Sequence, residues 1–527
     1  MEYFDNSVND RELSALRMTA GGGCEIVKDC IVSDAYSDVK KILASSVKLS
    51  PRADALEDDG VVYSGAVTVT VVFLTEDGEV ASMVIDSDYE GRAGCKLGNG
   101  VLRRASFPTY EGFQCRLVNP RKIGVRLKIK PNLYVWEDVD TSVSYPDSVT
   151  DEDRLTFEEQ YARVGYTRVE TYRADGVESG DDIHIEAPRN EISELLLKEI
   201  RFSSLSCEAR SGAVAVNANA EIYLWYLGEN KDGERELSTY RHCLPVSTLV
   251  ECAGVKEGDT VFASLYWEDG SFSLAEDGQG EKRVCECDFT YGVSVTAMKE
   301  VAGYVTKDTY STRYDSELCY GDLRVASDTM KATATARAKM SMPLKEGFMP
   351  IAIESVMKEA HIEAGEDGRA VVSGSVSLYL TLQNRESLQY TAETGELSLS
   401  VPLSFAYREP CEHTLSLTCG IPEYKVEGES VQLMLPVTCT AVSFMQNTQR
   451  LLLEAKPIAE CALDASGAFT VYYPADGETP WDIAKKYRVR EDSLIFSEKE
   501  CEPFGKKRRA VMIVPKKTPL YRAVIAP

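Results

Sequence analysis

Few residues in this chain have the types and spacing that chemistry needs. Its four histidines, His184, His242, His361 and His413, stand far apart. None lies in an H-E-x-x-H, G-x-S-x-G or Walker-type pattern. Cys285-Glu286-Cys287 sets two thiols two residues apart, the period that puts both on one face of a strand. A metal or redox centre would need a second pair close by, and the sequence holds none there. The acidic pairs Asp58-Asp59 and Asp181-Asp182 fall in turn-like segments and read as solvated loops, not as an acid and its conjugate base. The remaining cluster is basic, KKRR at 506–509. On a chain of formal net charge -26 it stands out. It suits an acidic partner or a pyrophosphate-linked glycan precursor, and otherwise a solvated loop. The expectation is a non-enzyme with no catalytic residue, no metal and no cofactor.

The elements that position these residues follow from length and charge. The 527 residues are enough for three to five domains. Strong negative charge argues against nucleic acid or anionic lipid, which need a basic field. The charge is uneven. Residues 469–527 hold 12 Lys+Arg against 8 Asp+Glu, whereas the first 468 hold 46 against 76. A domain boundary is expected near 465. The stretch MEYFDNSVNDRELSALRMTAGGG carries charges where a signal peptide needs an apolar core. No apolar run reaches the ~18 residues of a membrane span, so no transmembrane segment is expected. The 15 cysteines are odd in number and scattered, as reduced thiols of a cytosolic protein would be.

One pattern occurs three times. VKKIL (39–43) leads to LEDDGVVYSGAVTVTVVFL (56–74). ISELLLKEIRF (192–202) leads to SGAVAVNANAEIYLWYL (211–227). IESVMKEAHIE (353–363) leads to GRAVVSGSVSLYLTL (368–382). Each copy runs from a short helical or irregular lead-in, through a Gly-containing turn, into a long strand. Val67, Val69, Val71 and Phe73 alternate with Thr68 and Thr70, and Val376, Leu378, Leu380 and Leu382 with Ser375, Ser377, Tyr379 and Thr381. Period two with one polar face predicts half-buried antiparallel strands. TEDGEV (75–80) supplies an Asp-Gly turn, so VASMVI should fold back; GENKDGERE (228–236) and ETGE (393–396) should serve likewise. VSDAYSD (32–38) and VTKDTYST (305–312) are a second shared element. NPRKIGVRLKIKPNLYVWE (119–137) is another alternating strand. Tyr223, Trp225 and Trp267, on or near polar strand faces, are candidate interface anchors, with half or more of such residues expected to be core, and a sheet edge could pair with another chain.

Taken in order, the lead-in, the GVVYSGAVTVTVVF strand, the DAYS element and the NPRKI strand resemble SPOCS domains, found in spore-coat and spore-morphogenesis proteins of endospore-forming Firmicutes. The resemblance spans roughly residues 21–462 as three divergent copies. Copy two carries Asn217 where the others have Gly65 and Gly374, and has no DAYS element ahead of Ile192. The expected architecture is mainly β: three antiparallel sandwich- or barrel-like units at 21–148, 149–320 and 321–464, after a lead segment at 1–20.

Residues 466–516 form a different unit. FTVYY (469–473) reads as a short strand ended by Pro474, and Asp476-Gly477 as a turn. Thr479 is placed to cap a helix with Pro480 at N1 and Asp482 at N3. Ile483, Ala484 and Tyr487 make its buried stripe, with Lys485 and Lys486 facing solvent. VREDSLIF (489–496) is expected as a second helix, and RRAVMIVP (508–515) as a closing strand. Gly477, Glu478, Thr479, Trp481, Ile483, Ala484, Tyr487 and Val489, followed by Leu494, Val511, Ile513 and Pro515, are similar to the LysM module, a βααβ unit. The likeness implies binding of N-acetylglucosamine polymers between two loops: Asp476, Gly477, Glu478, Thr479 and Pro480 in the first, Phe504, Gly505, Lys506 and Lys507 in the second. Pro480 replaces an apolar residue, most often Leu. Arg488 replaces the Gly after the first helix, and Arg490 the Ser or Thr cap of the second. No Asn-Pro pair follows that helix. Glycan binding and a protein- or lipid-phosphate-binding use both stay open.

The combined resemblance implies a scaffold or anchor for spore coat and cortex assembly, in the mother-cell cytoplasm at the forespore surface. Its implied partner is a spore-coat basement-layer protein (SpoIVA-like), with self-association a further option. The alternative is a peptidoglycan-binding protein of the cell envelope, or one that takes a lipid-linked precursor. Residues 517–527 are expected as a tail.

Overall fold

The computed structural model describes residues 11–18, 22–57, 60–95, 98, 100, 102–107, 110–130, 132–186, 189–229, 233–387, 389–409, 411–461, 469–501 and 506–514. Most of the lead segment, Asp58-Asp59, the break near 465, Phe504, Gly505, Pro515 and the tail lie outside them. The chain is mainly β, with 77% of the described residues in strands and 3% helical. Its ladders are antiparallel; the parallel contact described is a bridge from Ser144 to Glu454.

Each repeat copy is a three-stranded meander. The first is Val39–Glu57, Gly60–Thr75 and Val80–Gly94; the second Glu191–Arg210, Ala213–Glu229 and Arg235–Glu251; the third Phe348–Ala364, Arg369–Asn384 and Tyr390–Ala406. The lead-ins expected to be helical or irregular are the first strand of each. Their mixed apolar and charged order suits a strand that meets the core at bulges, where register shifts fall at Val39/Lys41, Ile192/Glu194 and Pro350/Ala352. The 75–80 turn closes as expected, with Gly78 at φ +86°. ETGE does not form a turn: it lies within the strand Tyr390–Ala406, and the chain turns at 385–387.

Every meander lays its alternating apolar face on a second sheet. Val67, Val69, Val71 and Phe73 pack on Ile123, Val125, Leu127 and Ile129 of Lys122–Ile129, the centre of a sheet with Cys24–Ile31 and Tyr110–Asn119. Ile222, Leu224 and Tyr226 face Phe289, Tyr291 and Val293 of Val284–Ser311, which lies between Phe157–His184 and Thr260–Ala275. Leu378, Leu380 and Leu382 face Leu433, Leu435 and Val437 of Ser430–Glu460, which pairs with Tyr314–Pro343 and Cys411–Cys419. The matching inward residues put Ala218, not Asn217, opposite Gly65 and Gly374. A one-residue slip would turn the whole strand inside out. The DAYS elements also part company. Residues 32–38 form an irregular turn, whereas 305–312 are mostly strand, at the end of Val284–Ser311.

The opposite faces of the meanders meet one another. Leu43, Val72 and Leu74 of the first, Tyr223, Trp225 and Leu227 of the second, and Ala352 and Ala392 of the third form one buried cluster. Tyr223 and Trp225 are therefore core residues here, and not surface anchors: the polar face expected of the second strand is covered by its neighbours. One charged group spans this junction. Arg201 of the second meander donates to Ser355 Oγ at 2.7 Å and Ser355 O at 3.0 Å in the third, and pairs with Glu199 and the fully buried Glu354. Two carboxylates share one guanidinium, an arrangement that fixes geometry more than it stabilises.

A second junction gathers Glu12–Met18 and Asn132–Asp140 against the outer lengths of the long strands. Leu16, Tyr134, Trp136, Phe262, Met298 and Phe444 pack together there. The C-terminal unit stands beyond it. Its sheet runs Thr470–Tyr472, Arg508–Ile513, Leu494–Cys501 in space. Its helix is Pro480–Tyr487. The expected second helix is absent: Glu491–Ser493 makes one 3-10 turn and Leu494–Cys501 continues as a strand. Arg490, where a capping hydroxyl would sit, makes no side-chain cap bond, which leaves that helix start without its stabilising partner.

Candidate functional site

The first loop of the C-terminal unit is built by its own side chains. Ala475 O accepts from Glu478 N at 3.2 Å, with Gly477 at φ +85° in the third position, where a side chain would be strained. Thr479 Oγ1 accepts from Asp482 N at 3.3 Å, and Asp482 Oδ2 accepts from Thr479 N at 2.9 Å and from Thr479 Oγ1 at 2.6 Å. These donors hold the Asp482 carboxyl below the usual carboxylate range. Pro480 opens the helix at N1, where its missing N–H removes no helical bond. Glu478 turns inward: its carboxylate accepts from Tyr472 Oη at 2.8 Å and from Ala475 N at 2.8 Å.

The second loop comes to the first. Lys506 Nζ reaches Asp476 Oδ2 at 2.7 Å and Arg508 reaches Asp476 Oδ1 at 3.4 Å. The Lys506 hydrogen bond, then the two positive charges, hold Asp476 below the ordinary carboxylate range. Lys507 is exposed beside them. So Asp476 and Lys506 meet across the loops, Gly477 and Lys507 border them, and Thr479 and Glu478 are occupied in holding the unit together. Because the Thr479 hydroxyl is the helix cap, it is not a free ligand donor.

The helix face is covered, a feature that only the departures from the LysM pattern could have signalled. Trp481 Nε1 donates to Asp308 Oδ2 at 3.0 Å, and its ring meets Tyr310 edge-on with centroids 4.9 Å apart. Lys485, expected on the solvent side, reaches both Asp308 oxygens, at 2.7 and 2.6 Å. Tyr310 Oη donates to Val489 O at 2.7 Å. Arg488 takes the left-handed conformation, φ 52° and ψ 43°, and donates to Tyr314 O at 2.9 Å while pairing with Asp315. Arg490 donates to Leu155 O at 2.7 Å and pairs with Glu158 at 3.0 Å. Burial beside this contact raises the Glu158 carboxyl, against the pull of Arg490. Tyr310, Trp481, Ile483, Ala484, Leu494, Val511 and Ile513 close one small core between body and unit.

The other face of the three-stranded sheet is open. Val471 pairs with Met512, and Met512 with Ile495, so the three lie in one row. Phe469 and Tyr473 flank the strand Thr470–Tyr472 on either side. Phe469, Val471 and Ile495 are each about half exposed.

Elsewhere the chemistry-bearing residues are placed as follows. Cys285 and Cys287 are buried in the core of the second meander's sandwich, and burial pushes their thiols up, to about 11 and about 12. All fifteen cysteines are free. Among the described residues no group of three or more His, Cys, Asp or Glu could hold a metal. Asp181, expected in a solvated loop, lies in the strand Phe157–His184 and meets His242 Nε2 at 2.7 Å. His413 is partly buried, and burial lowers it. No helix among the described residues is long and apolar enough to cross a membrane. Compared with family models, curated proteins and solved structures, the chain matches none of them.

Proposed function

We propose that the chain is a non-enzymatic scaffold for spore coat and cortex assembly, with its SPOCS-like repeats as the body and the LysM-like unit as a fixed adaptor. In this reading the protein works in the mother-cell cytoplasm at the forespore surface, and the adaptor takes a coat basement-layer protein. One observation carries the preference for a protein partner. Among the described residues the Asp476, Glu478, Thr479 and Lys506 side chains pair within the unit, while Val471, Ile495 and Phe469 are left about half exposed. An apolar row rimmed by polar residues suits a protein interface better than a sugar, which needs free donors and acceptors.

The test uses the full-length chain. Capture of a purified basement-layer protein should fall at least about tenfold in Val471→Lys/Ile495→Lys. The same variant should sediment with purified peptidoglycan as the parent does. If instead capture is unaffected and Asp476→Ala abolishes saturable, salt-resistant peptidoglycan binding, the peptidoglycan-binding reading replaces this one.

A further inference from the structure

A cavity of about 440 Å³ opens where the first two meanders meet the strands Thr260–Ala275 and Cys411–Cys419. That volume is in the range of small-molecule sites, which favour junctions between units. Its charged lining runs against the chain as a whole: Lys48, Lys198 and Arg201 face one carboxylate, Glu199. Arg201 is already held by Glu199 and Glu354. The two lysines have no ion pair among the described residues.

Both lysines lie over aromatic rings. Lys48 Nζ is 4.3 Å from the Trp267 centroid and Lys198 Nζ is 5.6 Å from that of Phe272. The two rings touch edge to face, with centroids 6.2 Å apart. Lys48 spends one donor on Glu268 O, at 2.9 Å, and keeps two. Burial pulls Lys48 below the usual lysine range, a penalty that a bound anion would relieve.

We propose that this cavity binds an organic anion with a flat apolar body. The acid group lies at Lys48 and Lys198, and the body rests on Trp267 and Phe272. Neither an aliphatic dianion nor a neutral aromatic would use both halves of the lining.

The probe is 8-anilinonaphthalene-1-sulfonate, titrated against the full chain by fluorescence, with N-phenyl-1-naphthylamine as its uncharged counterpart. One saturable site per chain is expected, displaced by indole-3-acetate. Lys48→Met and Lys198→Met keep the aliphatic stems and remove the charge. Each should weaken the sulfonate by about tenfold to a hundredfold and shift the neutral probe less than about twofold. Trp267→Leu should weaken both probes. Lys198 is exposed, so its variant reports on binding even if Lys48→Met disturbs folding. The proposal falls if no stoichiometric sulfonate site exists. It also falls if both lysine variants bind like the parent, or if Val471→Lys/Ile495→Lys removes the signal and so places the probe on the adaptor.

Discussion

Asp308→Ala should release the adaptor from the body while leaving each folded. Asp308 takes the Trp481 indole N–H at 3.0 Å and both Lys485 contacts. Its side chain is 20% exposed and that of Lys485 40%. The indole bond to a partly buried carboxylate is worth about 1.5–3 kcal/mol. Lys485 is open enough to solvent that its pair counts at the surface value, about 0–1 kcal/mol. A loss of about 2–3 kcal/mol raises the undocked fraction about 30- to 150-fold. The assay is hydrogen–deuterium exchange by mass spectrometry on the full chain, reading peptides over 306–314 and 480–490. Exchange should rise in 306–314, where Tyr310 loses its cover, while the amides of the helix Pro480–Tyr487 keep the protection that their own capping box provides. Trp481→Ala is the contrast. It empties the small core at a cost of about 3–5 kcal/mol, against the ~2–7 kcal/mol that a unit of about 45 residues holds, so both peptides should lose protection together. Unchanged exchange at 306–314 in Asp308→Ala would refute the reasoning.

Three further outcomes are expected. Burial, then the charge of Glu199, pushes the Glu354 carboxyl up from its ordinary 4.5 to about 8, against the pull of Arg201. The folded chain then holds a proton that the unfolded chain has lost, so this contribution is full below about pH 4.5 and disappears as pH rises towards 8. Glu354→Gln should flatten the change in urea midpoint between pH 5 and 8, and curves parallel to the parent would count against the assignment. Trp225→Ala, at the junction of the meanders, should cost about 3–5 kcal/mol by urea titration. Trp225→Phe should cost far less, because the indole N–H it removes is buried without a partner. Arg488→Gly should relieve about 1–2 kcal/mol of left-handed strain yet lose the bonds to Tyr314 and Asp315; slower exchange in 480–487 with faster exchange in 306–314 is the expected signature.

What could be read from the sequence was what local periodicity encodes. Val67 to Phe73 and Val376 to Leu382 announced their buried faces because alternation is a property of a strand and one sheet beneath it. The capping box at Thr479 and Asp482 was equally local. Tyr223 and Trp225 could be read as anchors or as core, because the face they share is covered by other meanders more than a hundred residues away, and no window around them reports that. The second helix failed for a related reason. VREDSLIF has the composition for either state, and the choice fell to the pairing of Leu494, Ile495 and Phe496 with Arg508–Ile513. Asp181 and His242 lie on strands whose pairing is set by distant register, so their contact left no trace in sequence.

Two residues that depart from the LysM pattern, Arg488 and Arg490, share a physical explanation. A free-standing unit gains from Gly after its first helix, because the left-handed conformation there costs Gly nothing. Here Arg488 accepts the strain and holds Tyr314 and Asp315 instead. A Ser or Thr before the second helix would cap it; Arg490 gives up that cap and grips Leu155 and Glu158. Trp481, which matches that pattern, adds its N–H to Asp308. Each exchange gives up stability inside the unit for contact with the body. Arg488 and Arg490 thereby tie the unit to the body. With the helix face committed to Asp308 and Tyr310, the described surfaces left open include the loop pair at Asp476 and Lys506 and the row Val471, Met512 and Ile495. These two surfaces are what the capture and peptidoglycan measurements compare.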